Sequence, residues 1–302
     1  MRTKSSLDFR TEQAHVVALG CFDGVHVGHT ELIRQARRIA DEASLPLAVF
    51  SFAQPPKSFF SKGPMRLLTS RDEKKRIMAS LGADLFVCVP FDESIANITA
   101  EQFFLDVLRN RLNASHVICG FNYRFGKNGL GNADLLRDLC KKSGIGISVV
   151  SPVEINGAPV SSSAIRCALE DGNVRSANLL LGRPYSISST VVSGQQLGRT
   201  LGFPTVNQIF DQGLMPPKNG VYLSRVRIGH AVKKAITNVG VRPTVDGQTL
   251  CAETNIFDFE GDLYGKKIRV EFLEFIRPEQ KFDSLEQLSA QVHRDIEKAK
   301  NT

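Results

Sequence analysis

The sequence contains no apolar stretch that approaches the roughly 20 residues needed to span a bilayer. Its opening segment, MRTKSSLDFRTEQ, carries charge but lacks the apolar core of a secretory signal. Internal repeats and low-complexity segments are also absent. We therefore expect a cytoplasmic globular protein that has no membrane partner.

Cysteine is sparse, with six residues and no Cys-x-x-Cys pair. That spacing excludes a zinc ribbon and a thioredoxin-like motif. Most of the cysteines lie in apolar segments such as DLFVCVP and HVICG, where a reduced cysteine acts as a small hydrophobic residue. We expect them to be structural thiols in a reducing compartment.

The chain is basic, with a net charge of +7 and a pI near 9.1, but its basic residues are spread and form no run of five or more. Neither an RNP-like aromatic motif nor a paired Cys/His finger accompanies them. The charge therefore favours a phosphate-rich metabolite as the ligand, and we expect no nucleic-acid partner. Nothing in the sequence specifies an oligomeric state.

A length of 302 residues suits two domains. The first part alternates short apolar runs with amphipathic segments, which indicates βαβ units and a buried parallel sheet. The predicted strands are residues 15–20, 45–52, 83–91, 114–121 and 145–153, and the predicted helices are residues 29–43, 70–82, 99–112 and 132–144.

From about residue 185 onward, strand-like segments are punctuated by Gly, Pro and Asn, and the one late helical pattern covers residues 284–300. This texture predicts a small antiparallel β-barrel closed by a terminal helix. A helical segment at 163–182 leads to GRPY, residues 182–185, which we interpret as the hinge. The predicted domains are residues 1–182 and 183–302.

The first motif is GCFDGVHVGH, residues 20–29, which follows a predicted strand. Ligands of parallel sheets bind beyond the carboxyl ends of the strands, and a helix N-terminus attracts anions. His26 and His29 lie on one face at this spacing. The motif therefore predicts a phosphate site. A zinc site lacks a third ligand at suitable spacing, and two core histidines would have less polar neighbours.

The second motif is GRTLGFPTVN, residues 198–207. Thr205 and Asn207 alternate along an extended segment and share a face. Their hydroxyl and amide oxygens suit Mg²⁺, a hard cation, although a plain polar edge strand would carry the same pattern. The neighbouring GQQLGRT is one residue short of a Walker loop and has Arg199 in place of its Lys.

The first half contains the segments GCFDGVHVGH, CGFNYRFGKNGLGN (119–132) and VSSSAIR (160–166). In order and spacing, these three segments resemble the adenylyltransferase half of the prokaryotic bifunctional riboflavin kinase/FMN adenylyltransferases, also called FAD synthetases. The second half resembles riboflavin kinases through PTVN, where Val206 replaces Ala in the PTAN motif. NVGVRPTV (238–245), ETNIFDFEGDLYG (253–265) and KFDSLEQL (281–288) follow in the family's order.

The resemblance implies a Rossmann-like nucleotidyltransferase domain in which the FMN phosphate attacks the α-phosphate of ATP and pyrophosphate leaves. His26 and His29 would contact the ATP phosphates, and Asn122 and Arg124 would lie near the nucleotide and the flavin. Further ATP or phosphate contacts are implied for Gly20, Phe22, Asp23, Gly28, Ser161, Ser162, Ser163 and Arg166.

In the barrel, the resemblance implies that Mg²⁺ and the γ-phosphate of ATP bind beside Thr205 and Asn207. Glu253 would accept the proton of the riboflavin 5′-hydroxyl. Gly202 and Arg242 would contact phosphate or the loop over it. The expected substrates are riboflavin, FMN and ATP, and the expected product is FAD.

The first half departs from the family at three positions. Cys21 stands where the family usually has Asn, Ala53 replaces an acid, and Pro56 replaces a His that is a further phosphate contact. These departures leave an alternative open, in which the protein is a riboflavin kinase and its first domain is a regulatory module that binds flavin or nucleotide. A basic nucleic-acid binder is the second alternative.

Overall fold

The computed structural model describes residues 1–61, 65–193, 198, 202–244 and 247–301. The chain divides into two compact units, Met1–Ser162 and Ser163–Thr302. The domain boundary that we predict after residue 182 stays a prediction. No helix among the described residues is long and apolar enough to cross a membrane.

The first unit is built on a six-stranded parallel sheet in the order β1-β4-β3-β2-β5-β6. Its strands are β1 Arg2–Lys4, β2 His15–Leu19, β3 Leu47–Phe52, β4 Leu85–Val89, β5 Ala114–Gly120 and β6 Gly146–Val150. A short antiparallel hairpin follows, formed by β7 Glu154–Ile155 and β8 Ala158–Pro159.

Helices connect these strands, as the alternating pattern predicts. They are α1 Val27–Glu42, α2 Pro56–Phe60, α3 Arg71–Ser80, α4 Glu93–Ala96, α5 Ala100–Gln102, a π-helix Phe103–Arg111, a 3₁₀ turn Lys127–Gly129 and α6 Ala133–Lys142.

The parallel sheet is buried on both faces, which explains why its central strands are continuous apolar runs. Every residue of β2 and β4 is buried. Val17 and Leu19 pack into one hydrophobic cluster, while Val16 and Ala18 pack into another on the opposite face. Successive side chains of a strand point to opposite faces, so the sheet separates two cores.

Two elements of the first unit differ from the prediction. Strand β1 pairs with β4 at the edge of the sheet, and its three residues, all exposed, carry no apolar signal. The predicted helix at 99–112 is one turn of α-helix with a Thr99 capping box, followed by the π-helix.

Among the described residues, the second unit contains three helices and a closed six-stranded barrel in the order β10-β13-β12-β11-β14-β9. Its elements are α7 Ser162–Glu170, α8 Val174–Leu181, β9 Tyr185–Val192, β10 Thr205–Ile209, β11 Gly220–Ile228, β12 Ala231–Thr244, β13 Gly247–Ile256, β14 Lys267–Arg277 and α9 Leu285–Asn301. The predicted antiparallel barrel with a terminal helix is confirmed.

The predicted helical segment at 163–182 is two helices rather than one. Gly172 adopts a φ of +80°, a left-handed conformation that ends α7 and that glycine tolerates without strain. Asn173 then caps α8 by accepting the Ser176 N–H at 3.1 Å.

The two faces of the barrel wall differ in chemistry. Inside, Tyr222 and Phe272 are fully buried, and three hydroxyls form a hydrogen-bonded chain from Ser224 through Thr237 to Thr254. Outside, helix α9 packs on the apolar part of the wall. The adjoining part of the outer face is polar and carries the residues of the second motif.

Candidate functional site

The turn between β2 and α1 has an unusual backbone. Phe22 has a φ of +50°, Val25 a φ of +41° and Gly24 a φ of +81°. Left-handed backbone is unfavourable for a β-branched residue and persists only where the surroundings enforce it. Such strain is concentrated at ligand sites, which agrees with the sequence-based choice of this turn.

Helix α1 begins at Val27, two residues before the predicted start near His29. The reason is that His26 takes the capping position, and its Nδ1 accepts the N–H of His29 at 3.4 Å. The two imidazole rings stack with centroids 3.6 Å apart and an angle of 19° between their planes. His26 is buried and His29 is half-buried. The pair therefore shares one face, as the spacing predicts.

The glycines beside the pair are required by close packing. A Cβ on Gly20 would lie 2.7 Å from the Phe22 ring, and one on Gly28 would lie 3.3 Å from the His26 imidazole. The Phe22 ring in turn meets His29 edge to face, with centroids 5.2 Å apart. Larger residues at these glycines would displace the imidazole pair.

Asp23 connects the turn to two other segments of the first unit. Its buried carboxylate accepts the Leu68 N–H at 2.9 Å, and its carbonyl accepts the Ser162 hydroxyl at 2.9 Å. The structure thus brings Ser162, and Ser161 before it, to the turn. Ser163 and Arg166 lie on α7 in the second unit.

Sheet register places further predicted residues at the same edge. Leu19 of β2 pairs with Phe50 of β3 and with Cys119 of β5, so the segments after these strands emerge together. Asn122 and Arg124, which follow β5, are exposed. The segment FAQPP (52–56), where the chain departs from the family, begins with Phe52, the last residue of β3, and ends with Pro56, the first residue of α2. A proline there has no side-chain group that could donate a hydrogen bond.

An aromatic cluster beside this edge escaped the sequence analysis. Phe52, Phe59, Phe60 and Phe91 meet edge to face, with centroids 5.1–6.1 Å apart. Phe59 is 45% exposed and Phe60 is 63% exposed, which is unusual for paired large apolar side chains. The sequence signal for this cluster was the pair of adjacent phenylalanines in SFFSK, shortly after FAQPP (52–56).

The second candidate site lies on the outer face of the barrel. Asn207 of β10 pairs with Glu253 of β13, and Glu253 pairs in turn with Asn238 of β12. Thr205 and Asn255 form the next pair on the same face. Directly paired residues of antiparallel strands share a face, so side chains from three strands converge.

These residues line a cavity of about 240 Å³, together with Arg242 and part of helix α9. Arg242 forms an ion pair with the Glu253 carboxylate. Asn207 is 6% exposed, and among the described residues its Oδ1 has no hydrogen-bond partner. An unpartnered buried acceptor is costly, and it indicates a position where a ligand supplies the missing partner.

A second cavity of about 590 Å³ adjoins the same strand and shares Thr205 with the first. Its wall includes the segment 259–264, which belongs to the motif ETNIFDFEGDLYG. Gly202 is exposed and has a φ of +85°. Arg199, Thr200 and Leu201 of the second motif, and Val245 of NVGVRPTV, lie outside the described residues.

An ion pair in the wall of the first cavity also escaped the sequence analysis. Asp295 of α9, which is 4% exposed, accepts from the Arg277 guanidinium at 2.7 and 2.8 Å and from the Gln291 amide at 2.8 Å. The Arg277 guanidinium lies 6.0 Å from the Phe282 ring centroid. These contacts fasten the terminal helix to β14 beside Glu253. The packing of α9 against β14 brings these residues together.

Within the described residues, no group of three or more His, Cys, Asp or Glu side chains could hold a metal ion. Any cation at the barrel site would therefore depend on hydroxyl and amide oxygens and on the ligand's own phosphates.

Comparisons with known proteins bear on both units. The sequence profile of the FAD synthetase family matches residues 8–164, and that of the riboflavin kinase family matches residues 181–302. A curated bifunctional riboflavin kinase/FMN adenylyltransferase of Bacillus subtilis is 36% identical over 96% of this chain and 93% of its own length. The chain belongs to the family of bifunctional riboflavin kinase/FMN adenylyltransferases. Both matched families are enzymes, and so is this protein.

Another curated relative and a solved structure also match this chain over nearly its whole length. The Escherichia coli K12 riboflavin kinase/FMN adenylyltransferase is 38% identical over 94% of this chain and 91% of its own length. A crystal structure described as a macrolide-efflux protein from Streptococcus pneumoniae has a TM-score of 0.91 and 34% identity, and it covers 100% of both chains. The family resemblance read from the motifs is confirmed.

Proposed function

We propose that this enzyme makes FAD from riboflavin in two steps that both consume ATP. The barrel unit phosphorylates riboflavin to FMN, and the sheet unit transfers AMP from ATP to FMN and releases pyrophosphate. The observation that carries this proposal is similarity across both halves to one bifunctional relative over 96% of the chain. Similarity of that extent favours two activities over a kinase with an inactive first domain.

In the kinase step, Glu253 is the group that accepts the proton of the riboflavin 5′-hydroxyl. Because Glu253 lines the 240 Å³ cavity, we place riboflavin in that cavity and ATP in the adjoining one. Thr205 lines both, so the phosphoryl group would cross beside it. Arg242 orients the Glu253 carboxylate through their ion pair and adds positive charge for the phosphates.

Mg²⁺ fits the same place. The unpartnered Oδ1 of Asn207 and the hydroxyl of Thr205 are oxygen ligands of the kind that this cation prefers. When bound with ATP, Mg²⁺ neutralises phosphate charge. Asn207 and Thr205 would hold it, Gly202 would let the backbone approach the phosphates, and Glu253 would remain free to take the hydroxyl proton.

In the adenylyl-transfer step, the FMN phosphate is itself the nucleophile, so the protein needs to position and stabilise rather than react. His26, His29 and the N-terminus of α1 would face the ATP phosphates. Ser161 and Ser162, which lie beside the turn in the first unit, would hold further phosphate oxygens. Gly20, Phe22, Asp23 and Gly28 would shape the turn around them.

The flavin has a suitable surface at the same edge of the sheet. The exposed rings of Phe59 and Phe60 offer flat apolar area to the isoalloxazine, and Asn122 and Arg124 can supply polar contacts. We place the reaction in the cytoplasm, since all six cysteines are free thiols. The substitutions at Cys21, Ala53 and Pro56 are expected to lower the rate of adenylyl transfer without abolishing it.

Product analysis tests the proposal directly. Purified protein is incubated with riboflavin, ATP and Mg²⁺, and the flavins are separated by chromatography. We expect FMN to appear first and FAD with pyrophosphate to follow. FMN without FAD, also when FMN is supplied as the substrate, would instead assign the first domain a regulatory role. If no flavin is converted, the proposal is wrong.

A nucleic-acid titration tests the remaining alternative, in which the protein is a basic nucleic-acid binder. At physiological salt, the enzyme should bind DNA or RNA only weakly and with a steep dependence on ionic strength. Tight, salt-resistant binding would favour a nucleic-acid binder.

A further inference from the structure

Helix α3 carries a buried lysine that has no part in the mechanism described so far. The helix begins after Ser70, whose hydroxyl caps it by accepting the Glu73 N–H at 3.2 Å. Lys74 follows in the first turn and is 2% exposed. Lysine is almost never this deeply buried unless its charge has a partner.

The ammonium group of Lys74 joins two segments at the carboxyl edge of the sheet. It donates to the Cys21 carbonyl and to the Phe52 carbonyl, each at 3.1 Å. Cys21 belongs to the strained turn that leads to His26, and Phe52 is the last residue of β3. Strands β2 and β3 are neighbours, so the charge lies between two adjacent turns of the candidate site.

The charge of Lys74 is solvated by carbonyl groups rather than neutralised. Among the described residues, no ion pair includes Lys74. In the same turn, the buried carboxylate of Asp23 accepts the Leu68 N–H at 2.9 Å. Burial of an ammonium without an opposite charge is unfavourable, and an anionic ligand nearby would reverse that balance.

The hydrogen bond from Lys74 to the Cys21 carbonyl also supports the strained backbone of the turn. The Cys21 carbonyl accepts a second hydrogen bond from the Ser51 hydroxyl at 2.8 Å, so this peptide group is fixed from two sides. The next residue, Phe22, holds its φ of +50° directly after that anchor. Strained residues need surroundings that determine them, and Lys74 and Ser51 provide that support.

We propose that Lys74 is a positioning residue of the adenylyl-transfer site, which holds the Cys21 turn in place and sets a positive charge behind it that favours the polyphosphate of ATP. This inference rests on the proposed adenylyl transfer in the first unit. It predicts that loss of the charge weakens binding of polyanions at this site more than binding of neutral nucleosides.

The test uses the full-length enzyme with FMN and ATP and follows FAD formation. Inhibition constants are measured for pyrophosphate, which is charged, and for adenosine, which is neutral. Lys74→Gln keeps a hydrogen-bond donor but loses the charge. We expect it to raise the pyrophosphate constant about tenfold or more and to leave the adenosine constant within about twofold, because only the former is a charge interaction.

Two variants serve as controls. Ser51→Ala removes the neutral donor to the same Cys21 carbonyl, and it should change the pyrophosphate constant less than about threefold. Lys74→Arg keeps the charge and should retain most of the pyrophosphate inhibition. Phosphorylation of riboflavin by the same preparations reports whether the barrel unit is intact, and the retained adenosine constant reports whether the sheet unit is folded.

Three results would overturn the inference. They are unchanged pyrophosphate inhibition in Lys74→Gln, equal weakening for pyrophosphate and adenosine, and a loss in Lys74→Arg as large as in Lys74→Gln. Failure of the wild-type enzyme to form FAD would instead contradict the proposed adenylyl transfer itself.

Discussion

The two candidate sites are built from different parts of the chain. In the sheet unit, the site lies in turns beyond the ends of β2, β3 and β5, and its shape depends on the left-handed backbone of Phe22 and Val25. In the barrel unit, the site lies in the middle of regular strands, where Asn207, Glu253 and Asn238 stand in one row.

This difference determines how each site tolerates change. A strand ladder fixes the backbone by itself, so a substitution in the barrel row should act through the side chain that it removes. A strained turn is held by groups outside it, and changes at those groups should act through the backbone. The sheet site should therefore be sensitive to residues that never touch a ligand.

The largest expected effect separates the sites by chemistry. Glu253→Gln keeps the size and polarity of the side chain but cannot accept a proton. We expect formation of FMN from riboflavin to fall by roughly 10³-fold, within the range of general-base catalysis. Conversion of supplied FMN to FAD should stay unchanged. Both rates are measured by chromatography on the same preparation.

A second carboxylate in the same cavity provides the control. Glu279 lines the cavity but lies outside the row of Asn207 and Glu253. Glu279→Gln should leave FMN formation within about threefold of wild type, as expected for a carboxylate that takes no proton. Equal losses in both variants would contradict the assignment of Glu253 as the base.

A smaller loss, of the other activity, is expected in the sheet unit. His29→Ala removes one ring of the stacked pair and one donor to the phosphates. FAD formation from FMN should fall by about 10²-fold, the order seen when one group that stabilises developing charge is lost. FMN formation from riboflavin should persist, because the barrel is untouched.

His116 offers a matched histidine in the same unit. It lies on β5, where its Nε2 contacts the Ser148 hydroxyl at 2.9 Å. His116→Gln should retain FAD formation. If His29→Ala impairs both activities equally in a folded protein, the two sites are not independent.

Sequence periodicity predicted most of the architecture and half of the barrel site. Thr205 and Asn207 share a face because side chains alternate along any strand. That Glu253 stands opposite Asn207 depends on the register between β10 and β13, which are far apart in sequence. The Arg277–Asp295 pair depends instead on how α9 packs against β14. Only the family resemblance pointed to Glu253 beforehand.

The sheet site was less accessible to prediction for a different reason. The residue types of Phe22 and Val25 do not predict their positive φ angles, because such conformations are imposed by tertiary contacts. The role of His26 as the cap of α1 was likewise hidden, since Ser, Thr, Asp and Asn are the usual caps. The sequence around Lys74 is that of an ordinary solvated helix, and only the fold shows that this lysine is buried.

The smallest expected effect concerns the cation at the barrel site. Asn207→Ala removes the unpartnered Oδ1 but leaves strand β10 and Glu253 in place. The Mg²⁺ concentration that half-saturates riboflavin phosphorylation should rise about tenfold, because an oxygen ligand is lost while the phosphates still bind the ion. The Mg²⁺ dependence of FAD formation should not move. Ile209→Ala, which removes an exposed side chain further along the same face, is the control. An unchanged Mg²⁺ requirement in Asn207→Ala would mean that the Asn207 amide does not bind the cation, and we would then assign it to riboflavin. The sheet site and the barrel site would then differ in architecture, but no longer in whether a side-chain amide oxygen binds a metal.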